Sequence, residues 1–538
     1  MLKRLDSYEA VCRAFRWDIP PRYNIGVDIC DKWAGDPARL ALIHEHRDGR
    51  ITRYAFADLK RLSSQVAHAL AARGVSRGDR IGILLPQEPE TALAHIAAYR
   101  MGAIAVPLFT LFGVEALRYR LVDSGIKAVV TNATGAARLA ALRADLPALE
   151  TVLCIDGPVE GAQDFHAAVA AMPERFDPVD TAADDPALII YTSGTTGNPK
   201  GALHAHRTLL GHMPGVELSH DFLGQAGDLI WTPADWAWIG GLVDVLFAAW
   251  HLGVPVVARR FEKFDAEAAF DLMARHGVRN AFIPPTGLKM MRHVADPGSR
   301  WKLGLRSLAS GGESLGAELL QWGRDTFGVT INEFYGQTEC NMTLSSCGAL
   351  FPVRPGAIGK AAPGHEVAIV DDSGRRLPPG RIGNIAVRAP DPVTFLGYWN
   401  RPEATQEKYA GDWLVTGDTG TVDEDGYFTF VGRNDDVITS AGYRIGPGPI
   451  EDCLLGHPAV RMAAVVGAPD AQRTEVVKAY VVLREGFSGN DALTRELQDH
   501  VRTRLAAHEY PRQVRYVESL PLTTTGKIIR RELRERRD

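Results

Sequence analysis

Cysteine is scarce in this chain, six residues in 538, and no two of them form a C-x-x-C pair. Neither a disulfide framework nor a zinc site is indicated. Basic charge is not in excess either: 60 Lys and Arg stand against 65 Asp and Glu, a formal net charge of −5. That balance gives no electrostatic reason to expect nucleic acid or an anionic membrane as a partner. Long apolar runs are also missing. The most apolar segment, LVDVLFAAWHLGVPVVA at 242–258, is interrupted by Asp244 and His251, whereas a transmembrane span needs about 20 mostly apolar residues. A buried helix running into a strand is the expectation there. The first residues, MLKRLDSYEAVCRAFRWD, are charged throughout and lack the apolar core of a signal peptide. These absences predict a reduced, cytoplasmic protein with no transmembrane segment.

What remains has the composition of an ordinary globular protein, 46% hydrophobic and 23% charged. The length exceeds one core, so two or more domains are expected. From residue 55 a helix–strand alternation sets in. Leu59, Leu62, Val66 and Leu70 recur at helical spacing before Gly74, and RIGILLP at 80–86 reads as a short buried strand. Helices near 91–101 and 115–123 alternate with IAVPL and KAVVT, which predicts parallel sheets flanked by helices. The texture turns to strands and hairpins after RRLPPGRIGN at 375–384. Past GRNDDV at 432–437 it restarts as a small α+β unit with its own strands AAVVG and KAYVVL and a long helix beginning at NDALTREL. The predicted fold is therefore α/β: a large domain over 1–433 with a β-rich subdomain, then a small α+β domain over 434–538, joined near 433–437.

Four apolar strands end in Gly, Ser or Thr: ALIIYTSGTTG, NAFIPPTG, LRSLASGGE and INEFYGQTE. Open α/β sheets bind ligands at such carboxyl ends. The first continues as YTSGTTGNPKGALH, 191–204. Its glycines let backbone amides approach an anion, Thr192, Ser193, Thr195 and Thr196 add hydroxyls around Gly194 and Gly197, and Lys200 adds a mobile charge. No G-x-x-x-x-G-K-[ST] can be read here. A flexible linker would share the composition; the preceding buried strand and the internal lysine favour phosphate binding.

YTSGTTGNPKG resembles the phosphate loop of the adenylate-forming superfamily, which comprises acyl-CoA synthetases, peptide-synthetase adenylation domains and luciferases. ASGGE (309–313), FYGQTE (334–339), WLVTGD (413–418), GYFTFVGRNDDVITSAGYRIGP (426–447) and PLTTTGK (521–527) match in the same order, over nearly the whole chain. YGQTE, GYRIGP and EVVKAYVVL are most similar to medium-chain acyl-CoA synthetases and their acetyl-CoA synthetase cousins. The resemblance implies a two-step ligase. A carboxylic acid attacks the α-phosphorus of ATP to give acyl-AMP and pyrophosphate, and coenzyme A then displaces AMP.

The same resemblance assigns roles. Thr192 to Gly197 and Lys200 would hold the β- and γ-phosphates, an arrangement suited to a reaction that asks for positioning and charge stabilisation. Gly312, Glu313, Phe334, Tyr335, Gly336 and Glu333 would surround the adenine, with Tyr335 stacking and Glu333 at its amino group. Thr338 would lie at the α-phosphate, and Glu339 with Thr195 at Mg2+, an ion that prefers hard oxygen ligands. Asp418 would bind both ribose hydroxyls, with Arg433 and Arg444 on ribose and phosphate. Lys527 would bridge the carboxylate and α-phosphate oxygens, and Asp435 would be the hinge on which its domain rotates between the half-reactions. Singly, such residues are more often turn formers, salt-bridge partners or solvated surface; the joint match favours the site.

The acyl pocket is expected from Trp238, Ile239, Gly311, Gly336 and Asn341. Acetate-specific relatives carry tryptophan where Gly336 stands here, so an acid larger than acetate is expected: medium-chain, branched or aromatic. Amino-acid-activating relatives carry a carboxylate where Trp238 falls. Two departures are the Cys340–Asn341 pair after QTE and GPGPIED after the hinge; a polar Asn341 at the pocket would select a hydroxylated or cyclic acid. The segment around Lys527 also resembles one that protein lysine acetyltransferases recognise, and acetylation would remove the charge. Competing readings are a stand-alone adenylation enzyme loading an aryl or amino acid on a carrier protein, a silent nucleotide-binding regulator, and a luciferase-like oxygenase.

Overall fold

The computed structural model describes residues 2–192, 198–313, 315–433, 436–440, 443–470, 473–505, 509–523 and 527–536. Among these, nine strands form one sheet in the spatial order Lys360–Ala361, Cys340–Ser345, Ile331–Gln337, Ser307–Gly311, Asn280–Phe282, Ile230–Trp231, Val256–Ala258, Leu40–Glu45 and Ile51–Ala55. Its inner strands are parallel and its margins antiparallel. Eight more form a second sheet: Gly397–Tyr398, Lys200–Ala205, Pro186–Thr192, Ile104–Pro107, Arg80–Leu84, Ala128–Thr131, Thr151–Cys154 and Gln163–Asp164. The short runs RIGILLP, IAVPL and KAVVT hold the strands Arg80–Leu84, Ile104–Pro107 and Ala128–Thr131, buried almost throughout, which is why they carry continuous apolar sequence instead of alternation.

One core joins the two sheets. It is filled by helices Phe56–Ala71, Pro89–Arg100 and Thr208–Ser219 and by the run at 242–251, with Trp236 and Trp250 fully enclosed. That run is a π-helical turn, Leu242–Phe247, continued by Ala248–His251 and then the strand Val256–Ala258, the helix-into-strand expected of it. Thr208–Ser219 is buried on every side, and two glycines let it pack so closely. A Cβ on Gly215 would fall 2.1 Å from the Met342 carbonyl oxygen, and one on Gly211 2.5 Å from the Val393 amide.

A third sheet carries Gly383–Arg388, Trp413–Val422 and Phe428–Arg433, the β-rich texture of that region. Beyond it, Ile438–Ser440, Tyr443–Ile445, Val460–Asp470, Thr474–Leu483 and Gln513–Tyr516 form a sheet of their own, packed with helices Pro447–Leu455 and Asp491–Arg504. Two apolar clusters drawn from residues 438–533 alone fill it. No described helix is long and apolar enough to cross a membrane.

Candidate active site

The strands ending in Phe282, Gly311 and Gln337 are near neighbours in the first sheet, whereas Thr192 ends a strand of the second. The strand ends thus come from two sheets. Phosphate-loop residues Ser193, Gly194, Thr195, Thr196 and Gly197 lie outside the described residues, as does Asp435. Thr192 and Lys200, which flank the loop, face each other across the antiparallel pair.

A cavity of about 280 Å³ is lined by Trp238, Gly311, Gly312, Glu313 and Lys527, with Asp235 on its wall. Lys527 thus comes from the C-terminal unit to a wall built by the large one. A Cβ built on Gly312, whose φ is +98°, would lie 3.4 Å from the Trp238 ring and 4.0 Å from Lys527 Cε. Any side chain at 312 would be strained by that backbone conformation and would rest against the Trp238 ring. Desolvation lowers the Lys527 pKa first, while Glu313 and Asp418 draw it up and Arg433 lowers it. The residue keeps solvent exposure, but the protein mass around the cleft disfavours a free ammonium and so favours one met by anionic oxygens.

The Lys527 segment is held on both sides. Its N–H donates to Thr523 Oγ1 at 3.0 Å, and the Thr523 N–H donates to the Lys527 carbonyl at 2.7 Å. Three residues on, Arg530 donates to both oxygens of Glu451 at 2.8 and 2.7 Å, and Arg534 donates to Asp436 at 2.5 Å. Two carboxylates near the start of the small unit thereby fix the helix Arg530–Glu535 that follows the lysine.

Asp418 is buried, and its Oδ2 accepts from Tyr335 Oη and Gln337 Nε2, both at 2.6 Å. Arg433 faces it across the strand pair, with Nε 3.7 Å from Oδ1. Burial pushes the Asp418 carboxyl up, against the pull of Arg433, Tyr335 and Gln337. Glu339 is buried in the turn between Ile331–Gln337 and Cys340–Ser345 and accepts from Tyr398 Oη. The Lys200 ammonium lies 5.1 Å from the centre of the same tyrosine ring, within cation–π reach. Tyr398 therefore joins the lysine after the phosphate loop to the proposed magnesium carboxylate. Sequence reasoning missed Tyr398 and Gln337; Gln337 sat inside the quoted YGQTE, and Tyr398 gains meaning only once Gly397–Tyr398 pairs with Lys200–Ala205.

Glu333 is buried beside the Ser310 position of the neighbouring strand, and burial pushes its pKa well up, with Asp452 adding to the rise. Phe334 is buried against Gly311, and it packs 5.1 Å from Phe282, itself 5.6 Å from Trp238. Thr338 occupies the turn beside Glu339. Arg444 stands opposite Thr439 on a strand pair; its side chain lies outside the described part.

The expected acyl floor is corrected by the structure. Gly336 opens no space: a Cβ there would lie 2.4 Å from the Met342 amide and 2.5 Å from Asn341 Oδ1. Asn341 is buried and spends its amide on both oxygens of Asp244, at 2.9 and 2.7 Å. Neither residue lines the cavity, nor does the buried Ile239. Glycine is needed at 336 because the hairpin folds back on it, a contact no sequence window records. Gly336→Ala is accordingly expected to destabilise the protein by about 1–3 kcal/mol through overpacking, read as a lower denaturant midpoint; an unchanged midpoint would contradict the packing described.

Comparison with known proteins gives one consistent answer. The profile of the AMP-binding enzyme family matches residues 30–399, and that of the AMP-binding enzyme C-terminal domain matches 449–527. The chain is 36% identical to human mitochondrial acyl-coenzyme A synthetase ACSM4, over 99% of this chain and 93% of that protein. A crystal structure of a Brucella canis acyl-CoA synthetase superposes with a TM-score of 0.77 at 37% identity, covering 99% of each chain. The anthranilate CoA ligase AuaEII, solved with anthranoyl-AMP, gives 0.88 at 30% identity over 96% of this chain and 98% of that one.

Proposed function

Because the chain belongs to the AMP-binding enzyme family and its full-length relatives are acyl-coenzyme A synthetases, it is an AMP-forming acid–thiol ligase that uses ATP and coenzyme A, and we propose how its residues divide that reaction. Lys527 neutralises the charge that builds as the acid carboxylate meets the α-phosphorus. The loop from Thr192 to Lys200 holds the departing phosphates. Tyr335 stacks on the adenine, and Asp418 takes the ribose hydroxyls. The observation that carries this reading is the cavity shared by Lys527 with Gly311, Gly312 and Glu313, since it puts a cation from the small unit among strand ends of the large one.

Mg2+ would enter with the triphosphate. Glu339 suits it: one oxygen is held by Tyr398, and no described residue donates to the other. A single carboxylate plus phosphate oxygens and water is a usual set for this ion. For coenzyme A to reach the adenylate, Lys527 has to withdraw, and we assign that swing to the unit beginning at 434, with Asp435 as its hinge. Acetylation of Lys527 would block the first half-reaction. The six cysteines are free, in keeping with a reducing, cytoplasmic setting.

The acid is read from the wall at hand. Phe109, Trp238, Phe261 and Phe264 line the cavity, favouring a planar or branched apolar acid over acetate. A coenzyme A-dependent AMP-release assay across straight-chain, branched and aromatic acids tests this. Aromatic or branched acids are expected to exceed acetate in kcat/KM by at least about tenfold, the worth of roughly two buried methylenes. Preference for acetate would overturn the substrate reading, and pyrophosphate exchange without any coenzyme A-dependent AMP release would favour a carrier-loading adenylation enzyme.

A further inference from the structure

Asp235 is a carboxylate on the wall of the substrate cavity to which the reaction scheme above gives no task. It sits in the turn before the short helix Ile239–Gly241. Its Oδ1 accepts the Ala237 N–H at 2.8 Å, and its main-chain oxygen accepts the Trp238 N–H at 3.1 Å. No described residue donates to its Oδ2, and the side chain is only half-buried because it borders the cavity beside Trp238, Gly312 and Lys527. One carboxylate oxygen is thus tied down, and the other has no donor among the described residues that line the chamber. A turn-forming aspartate needs only the first of these features.

We propose that Asp235 accepts the thiol proton of coenzyme A in the second half-reaction, an inference that rests on the acyl-coenzyme A synthetase reading. A free thiol of pKa about 8.5 is mostly protonated at neutral pH, while the thiolate is the nucleophile. As the sulfur bonds to the acyl carbonyl carbon, its S–H bond breaks and the proton passes to Oδ2. The tetrahedral intermediate then collapses: the bond from carbonyl carbon to phosphate oxygen breaks, AMP leaves with that electron pair, and the thioester remains. Asp235 later releases the proton to solvent through the cavity mouth. Charge and atoms balance without a further reactant.

The surroundings suit the task. Burial pushes the Asp235 pKa up to about 6, with the Ala237 N–H and Arg260 pulling it back. Other charges on the cavity wall are Arg259, Glu262, Glu313 and Lys527, and Arg259 is engaged by Glu45 at 2.9 Å. A carboxyl titrating just below neutrality is ionised at working pH yet more basic than an exposed aspartate, which is what a proton acceptor requires.

The test separates the two half-reactions. Thioester formation from isolated acyl-adenylate and saturating coenzyme A is followed in a single turnover across acid to neutral pH, for wild type, Asp235→Asn and Asp235→Glu, with pyrophosphate exchange measured in parallel. The wild-type rate is expected to rise with pH through a limb near 6. Asp235→Asn should be slower by about 10²-fold and lack the limb; Asp235→Glu should recover both in part; pyrophosphate exchange should fall far less. A wild-type limb and rate retained by Asp235→Asn would overturn the proposal, and so would equal losses in both half-reactions unrelieved by glutamate. Absence of pyrophosphate exchange in the wild type would overturn the parent reading with it.

Discussion

Lys527→Ala is expected to slow acyl-adenylate formation by about 10²–10³-fold, the range for losing one preorganised charge at a reacting centre, while thioester formation from supplied acyl-adenylate stays within a few-fold of wild type. Both halves of that outcome follow from where the lysine is held. The Thr523 hydrogen bonds and the Arg530–Glu451 pair fix its segment, so the charge is positioned before substrate arrives. Desolvation leaves the ammonium in want of counter-charge, which Glu313 and Asp418 supply only in part; a crowded phosphate completes it. Once acyl-AMP exists, that charge has done its task. Pyrophosphate exchange and a rapid-quench thioester assay read the two halves separately, and adenylation at near wild-type rate in the variant would refute the assignment.

Asp418→Ala is expected to weaken use of ATP by about 10²-fold. Two charge-assisted hydrogen bonds to the ribose at about 1.5 kcal/mol each sum to about 3 kcal/mol, and 1.4 kcal/mol is tenfold. The substitution also strips the acceptor from Tyr335 and Gln337, each now held at 2.6 Å, so the Tyr335 ring loses its anchor. Asp418→Asn keeps the shape and part of the accepting capacity, and should lose less. The KM for ATP in pyrophosphate exchange is the measure; an unmoved value in the alanine variant would remove Asp418 from the ribose site.

The parts of this molecule that could be read along the chain are those whose cause is local. Buried parallel strands such as Arg80–Leu84 must be apolar on both faces, and the run at 242–258, broken by Asp244 and His251, is too interrupted for a membrane span and is a helix passing into a strand. The Lys527 segment was legible for another reason: its motif resembles those of a known superfamily. What resisted reading depends on contacts between distant residues. Gly336 looked like a vacancy, yet its space is filled by a returning strand. Asn341 looked like a pocket residue, yet it answers Asp244, 97 positions away. Tyr398 joins Lys200 to Glu339 only after a strand of two residues docks on the hairpin. Asp235 gains meaning only from the cavity it borders.

The proposed catalysis depends on a cation borne by the small unit and brought to the nucleotide at the moment of activation. Its most direct test is a crystal structure with a non-hydrolysable acyl-adenylate mimic. Lys527 Nζ within about 3 Å of a mimic oxygen, with Asp418 on the ribose, is the result expected. A fully occupied mimic with the 521–527 segment docked away from it would contradict the account.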